Sequence, residues 1–571
     1  MKYNINLEER EEKVMLRRKF MSYMKNIASI GIATIMLGMF FVGCSSKEGT
    51  DEVMAQKTEA STTPYGKYDE LVTYTIGKNT PGSPRFPDGD TYENNAYTRY
   101  LKEILNVQNE NAFEAANGDA YDQKVSMAIA TDDIPDIMKV DATTLKQLVD
   151  NDMIADLSET YNDCATDKIK EMYDSYGGRA LESATFDGRL MALPSTQCAN
   201  VPTMLWVRQD WMDKLALEAP KTIEDVENIL QEFVTKDPGN NGEGKTIGLV
   251  GASNIGGVYG GLFQMDNILS LYNAFPGQWI EENGEIVFGS TTNNMKKGLE
   301  KLSELYNKGL IDPQMAVREG DDITSLIING QCGAFFGPWW APDYPLNDAK
   351  KLNTDAQWKP YIVPQNEDGS ITAYTQNPAS EFYVVRKGFE HPELLVKISS
   401  VINDKMVNED YSREELMSYT KKGVDTGVRP INILINDYNA TIDMYKNIDL
   451  ALKGEKDPES LGADKGNYEN CKEFLENPNS PSADAWSGYT SRMISPKLME
   501  ETKVNEVNPV FFGQTESMKL KWANLQKLQD ETFLKIVTGE ASIDSFDEFV
   551  KTWKSTGGDQ ITKEVEEAIK K

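Results

Sequence analysis

Apolar and polar positions alternate along this chain in a strand–helix–strand rhythm. Leu71-Val-Thr-Tyr-Thr-Ile76 has the period of a strand, Tyr100 to Val107 that of a helix, Lys124 to Ala130 reads as a helix, and Asp136-Ile-Met-Lys-Val140 as a strand. This succession predicts an α/β fold with a parallel sheet. Asp187-Gly188 between short apolar stretches predicts a hairpin turn, Met204-Leu-Trp-Val207 a buried strand, and Thr222-Ile-Glu-Asp225 a capping box that opens a helix. Met295, Leu299, Leu302, Leu305 and Tyr306 share one helix face, which Gly309 ends. Near the C-terminus the same spacing recurs in Met518, Trp522, Leu525 and Leu528, then in Ile543, Phe546, Phe549, Val550 and Trp553. These aromatics are expected to be packing residues.

The N-terminus follows a different pattern. Arg17-Arg18-Lys19 leads an apolar run from Ile27 to Val42 that ends in Phe41-Val42-Gly43-Cys44. Its 16 residues fall short of the roughly 20 that a helix needs to cross a bilayer, and a small residue before Cys reads as a lipoprotein signal. Residues 1–43 are therefore expected to be a signal peptide, with Met15 as the true start because the first fourteen residues are acidic, and Cys44 the site of lipid attachment. Residues 44–66, rich in Ser, Thr, Glu and Lys, are expected to form a flexible tether that places the protein on the outer face of the cell membrane.

Composition narrows the chemistry. A formal charge of −31 repels phosphate backbones and disfavours nucleic acid as a partner. The only histidine, His391, stands where a helix starts and reads as a surface residue of the capping region; Ser/His/Asp triads and multi-histidine zinc sites are thereby disfavoured. Paired-carboxylate chemistry stays open with 90 acidic residues. Cys164, Cys198, Cys332 and Cys471 lack CxxC spacing and are expected to be buried thiols. The length exceeds what one core supports, so two lobes with a cleft are expected.

Several stretches together resemble the large lipoprotein solute-binding components of ATP-binding-cassette (ABC) sugar importers: Asp132-Asp-Ile-Pro-Asp-Ile137, Asp187-Gly-Arg-Leu-Met-Ala-Leu-Pro194, Trp206 to Lys214, Gly333-Ala-Phe-Phe-Gly-Pro-Trp-Trp340, and the run from Phe512-Gly513 to Gly557-Gly558. The resemblance implies a two-lobed, periplasmic-binding-protein-like (type II) α/β fold that closes on its ligand by a hinge. It places one lobe at residues 67–203 plus 372–440 and the other at 204–371 plus 441–571. It further implies a monomer that captures an oligosaccharide and delivers it, uncut, to ABC permease subunits, touching the membrane only through its lipid. A surface glycosidase or lyase using paired carboxylates, and a peptide receptor on the same scaffold, are the alternatives.

A sugar presents an apolar face and a hydroxyl rim, which call for aromatic plates and planar polar groups. Gly337-Pro338-Trp339 resembles the Gly-Pro-Trp of maltose-binding relatives, so Trp339 or Trp340 is the expected plate, with Asp343 as acceptor; a core tryptophan at an interlobe turn is the other reading. Asp141 follows a strand end, where ligands gather in open sheets, and competes with a helix N-cap role. Trp206 and Arg208, and Trp486 and Arg492, are further candidates, Arg208 also as an interlobe ion pair. Asp237 to Thr246 lines up with a loop that carries calcium in many relatives. Gly239 and Lys245 stand where oxygen ligands belong, leaving Asp237 and Asn241, so a metal-free turn is expected and no cofactor. Gly256-Gly257 to Gly260-Gly261 lacks the Lys-Ser/Thr of a phosphate loop and reads as a hinge or loop.

Overall fold

The computed structural model describes residues 58–196, 202–257, 259–410 and 412–570. Cys44, the signal over 1–43, Met15 and Cys198 lie outside the described residues.

Two sheets organise the chain. The first runs in the order Val107–Ala116, Val72–Thr80, Ile137–Val140, Ala379–Val385, Leu193–Thr196. Val72–Thr80 is parallel to both its neighbours, and Ala379–Val385 is antiparallel to both of its own. The second runs Trp358–Tyr361, Met204–Arg208, Cys332–Gly337, Ile247–Val250. There Met204–Arg208 is antiparallel to both neighbours, and Cys332–Gly337 and Ile247–Val250 are parallel. Each sheet has its own hydrophobic core. One is built from Tyr68 to Leu193 and from Ala379 to Ile435, the other from Leu205 to Val363 and from Met518 to Val565, so the chain crosses between them more than once. A short parallel pair, Ile371–Tyr374 with Val504–Val507, lies outside both sheets.

Local chemistry explains the elements. The helix expected over 100–107 is Ala96–Leu105: Asn95 accepts from the N–H groups of Tyr97 and Thr98, and Asn106 turns to φ 60° and stops it. Val107 then opens an edge strand, which sequence periodicity misses because an edge buries little of its outer half; beyond Asn109 its side chains are exposed or half-buried. Asp187 and Gly188, with φ of 50° and 75°, turn Thr185–Phe186 back onto Arg189–Leu190 as expected. The Thr222–Asp225 capping box opens the helix Ile223–Lys236. Met295, Leu299, Leu302 and Leu305 are the buried face of Asn293–Asn307, and Gly309 takes φ 70° beyond its end. His391 sits half-buried beside Glu393, the N-cap of Leu394–Ser400, against the ring of Tyr68. Cys164 donates to the Ser61 carbonyl, while burial pushes the Cys332 and Cys471 thiols up to about 12.

The tether expected over 44–66 needs correction over residues 58–66; residues 44–57 lie outside the described residues. Residues 59–62 form a helical turn, and the fully buried Lys397 ammonium donates to the carbonyls of Ala60, Thr63 (3.0 Å) and Gly66 (2.7 Å). Tyr65 donates to Asp404 at 2.8 Å. A buried cation with three carbonyl acceptors binds this segment to the first core although its composition is polar.

Candidate functional site

A cavity of about 470 Å³ opens where the two cores meet. Ala142 and Thr143, at the start of the helix Ala142–Asp150 that follows the third strand of the first sheet, form one side. Opposite lie the aromatics Tyr259, Trp279, Tyr374, Phe511, Phe512 and Trp522. Trp279 and Trp522 stack with centroids 6.4 Å apart, and Tyr259 and Tyr374 lie 5.0 Å apart. Four primary amides, Gln278, Gln376, Asn377 and Gln514, stand among them. Flat apolar faces interleaved with paired donors and acceptors suit a polyhydroxylated ring.

Hydrogen bonds hold this lining in place. Thr143 donates to Gln514 at 2.9 Å, bridging the two cores. Gln376 donates to the Tyr259 carbonyl, and the Tyr259 N–H donates to the Tyr374 hydroxyl at 3.1 Å. That hydroxyl donates to Asp266 at 2.7 Å. Burial raises the Asp266 carboxyl above its ordinary range, and burial next to Asp266 drives the Tyr374 phenol far up. Gly256, Gly257 and Gly260 all have positive φ. A Cβ at Gly256 would lie 2.2 Å from Pro276 Cγ, and one at Gly260 2.5 Å from Gln376 Nε2. The glycine run is thus a close-packed loop on the rim of this cavity.

None of the residues singled out in the sequence as ligand-binding candidates lines this cavity. Asp141 comes nearest in sequence, directly before Ala142, and its carboxylate accepts the Thr144 N–H at 2.7 Å as the helix N-cap. Four others do converge, from positions well over a hundred residues apart. Arg492 pairs with Asp343 at 2.6 Å and lies 5.0 Å over the Trp339 ring, and Trp339 and Trp486 pack against the same cluster. Asp343 also accepts from Ser487 (2.7 Å) and Ser491 (3.1 Å). Trp340 is half-buried just beyond the strand Cys332–Gly337.

Two expectations are corrected. Trp206 is fully buried with its indole N–H on the Pro338 carbonyl (3.2 Å), a core side chain in mid-strand. Arg208 is buried, makes its ion pair with Asp210 in the same segment (2.6 Å), and stacks 4.5 Å over Trp211; it spans no lobes. Asp237 accepts from the N–H groups of Asn241 and Gly242, both at 2.9 Å, and from the Thr246 hydroxyl; Asn241 turns its own amide N–H to Thr246 and Gly330. Donors, rather than a free carboxylate, therefore organise this turn.

The sequence did carry a signal for what was missed. Phe512-Gly513 opens one of the stretches on which the resemblance rests, and Phe512, Gly513 and Gln514 all line the cavity. Trp522 reads as packing by its spacing and does pack, but it also lines the cavity.

Comparison with known proteins places these features in a family. The family described as bacterial extracellular solute-binding protein matches residues 62–397, more than half of the chain. The polygalacturonan/rhamnogalacturonan-binding protein YtcQ of Bacillus subtilis is 22% identical over 401 residues, covering 68% of this chain and 72% of that one. Among solved structures, an HMO binding ABC-transporter associated solute-binding protein from Bifidobacterium longum infantis aligns with a TM-score of 0.59 at 15% identity, over 88% of this chain and 99% of that one. The substrate-binding protein FusA of S. pneumoniae in complex with kestose aligns with a TM-score of 0.56 at 15% identity, over 87% and 99%. These likenesses show a shared two-lobed α/β fold of the type II kind.

Proposed function

The chain belongs to the bacterial extracellular solute-binding proteins, and from that premise we propose that it captures an oligosaccharide outside the cell and delivers it, chemically unchanged, to the permease of an ABC importer. The observation that carries this is the cavity where the cores meet, with its aromatic faces and four primary amides. Its described lining has no carboxylate, which favours binding over hydrolysis by paired acids. The named ligands of the relatives are carbohydrates as well, both acidic, uronate-containing polymers for YtcQ (polygalacturonan, rhamnogalacturonan) and a neutral sugar for FusA (kestose). Capture and release need only micromolar affinity, about −8 kcal/mol.

The lobes are assigned to residues 67–203 plus 372–440 and 204–371 plus 441–571, with the pair Ile371–Tyr374 and Val504–Val507 at the crossing. Trp339, Trp340 and the neighbourhood of Asp141 extend the site, whereas Asp343, Arg492 and Trp486 brace the wall behind Trp339. Cys44 carries the lipid, and the protein acts as a monomer. Incubation of the full chain with a glycan panel, followed by mass analysis of bound and free sugar, tests this reading. A retained glycan recovered at its original length supports it; a shortened glycan, or none retained, overturns it.

A further inference from the structure

The charges around the cavity restrict its ligand further. Among the described residues, the lining contains no Lys, Arg, Asp or Glu. Residues 197–201 and 258, outside the described set, are Gln-Cys-Ala-Asn-Val and Val and add no charge wherever they lie. A bound carboxylate would therefore need a cation from outside the lining; of four candidates, Lys139 and Lys519 are paired with carboxylates, while Arg179 and Lys521 keep their charge and hold neutral partners. Arg179 gives its guanidinium to Asn508 at 2.6 Å and to Thr375 at 3.4 Å. Lys139, below the end of its strand, is paired with Glu381 and donates to Asn117 at 3.1 Å. Lys521, beside Trp522, donates to Gln560 at 3.0 Å, and Lys519 to Glu516 at 2.7 Å.

The helix start that lines the cavity already carries a carboxylate of its own. The start of Ala142–Asp150 faces the cavity, but the Asp141 carboxylate already accepts the Thr144 N–H there at 2.7 Å. A second carboxylate would meet that negative charge and that of its neighbours: burial first, then Asp141, Asp119 and Glu381, hold the Asp122 carboxyl above its ordinary range. At long range the formal charge of −31 acts in the same direction. An unpaired carboxylate taken out of water is strongly disfavoured, whereas neutral hydroxyls find partners in the four amides.

We infer that the cavity selects uncharged oligosaccharides and excludes uronate chains. This deepens the carbohydrate-capture reading above and rests on it. The test is calorimetric titration of the full chain with neutral gluco-, galacto-, xylo- and fructo-oligosaccharides, and with oligouronides before and after reduction of their carboxyl groups to the neutral sugar. The expected result is binding within the neutral set, insensitive to added NaCl, and a gain of about tenfold or more when an oligouronide is reduced. Gln514→Arg, which adds a cation to the lining, should recover uronate binding by a similar factor. An oligouronide that binds more tightly than its reduced form and weakens with salt would overturn the inference and leave carbohydrate capture standing. If no saccharide of either class binds, capture and inference fall together.

Discussion

Replacing Asp343 by alanine removes three contacts from one carboxylate: Arg492 at 2.6 Å, Ser487 at 2.7 Å and Ser491 at 3.1 Å. The side chain of Arg492 is 16% exposed and that of Asp343 37%, so the cation regains little water when its partner goes. Exposed pairs contribute about 0–1 kcal/mol, and stripping one partner from a buried pair costs about 3–5 kcal/mol. Half-exposed Asp343 lies between these limits, which puts Asp343→Ala at about 2 kcal/mol. Arg492→Met gives up the stacking on Trp339 but leaves Asp343 two hydroxyl donors and solvent, a loss of about 1 kcal/mol. Once the cation is gone, removing the carboxylate costs little more. The double variant should therefore fall short of the sum by about 1–1.5 kcal/mol. Urea unfolding of the four proteins, followed by circular dichroism, measures this coupling. A value below about 0.3 kcal/mol would refute the claim that the pair braces the wall behind Trp339.

Other changes separate packing from binding. Phe512→Ala removes a half-buried ring from the cavity and should weaken glycan binding about tenfold in a fluorescence titration, while unfolding stability stays within about 0.5 kcal/mol of the parent. Lys397→Met strands three carbonyls and should cost about 2 kcal/mol and open residues 58–66 to limited proteolysis; an unchanged cleavage pattern would refute the docking of that segment. Gly256→Ala puts a Cβ 2.2 Å from Pro276 at φ +81° and should lower stability by about 2 kcal/mol, read as a lower urea midpoint. Burial lowers Lys78 from 10.5 to about 7, outweighing the opposing pull of the Glu114 and Asp425 carboxylates. Between those values the unfolded chain holds the proton and the native chain does not, so this residue makes stability rise with pH, at up to about 1.4 kcal/mol per unit. Lys78→Met should flatten the rise between pH 7 and 10, and an unchanged slope would contradict the assignment.

Much of the fold is written in local pattern. The capping box at Thr222, the hairpin at Asp187-Gly188 and the helix face from Met295 to Leu305 depend on neighbours a few residues apart, and each forms as its spacing predicts. The strand from Val107 was not legible in this way, because an edge position leaves polar side chains on its open half. Nor was the docking of residues 58–66, which depends on Lys397, more than three hundred positions away.

The site divides along the same line. Trp339, Asp343, Trp486 and Arg492 are residue types that suit a sugar, and the fold gathers them into one cluster. Yet the Asp343 carboxylate and one guanidinium nitrogen of Arg492 are already engaged inside the protein. Trp206 and Arg208 show that aromatic and guanidinium groups near a lobe start can be wholly internal. What distinguishes Trp522 and Phe512 is that they line a cavity formed only once distant segments come together. Residue type and spacing do not encode that placement.

A structure of the full chain in complex with a neutral oligosaccharide decides where the ligand sits. The prediction is a sugar face within about 4 Å of the Trp522 or Phe512 ring, with its hydroxyls on the amides of Gln376 and Gln514. A sugar held elsewhere, without contact to these four side chains, would contradict it.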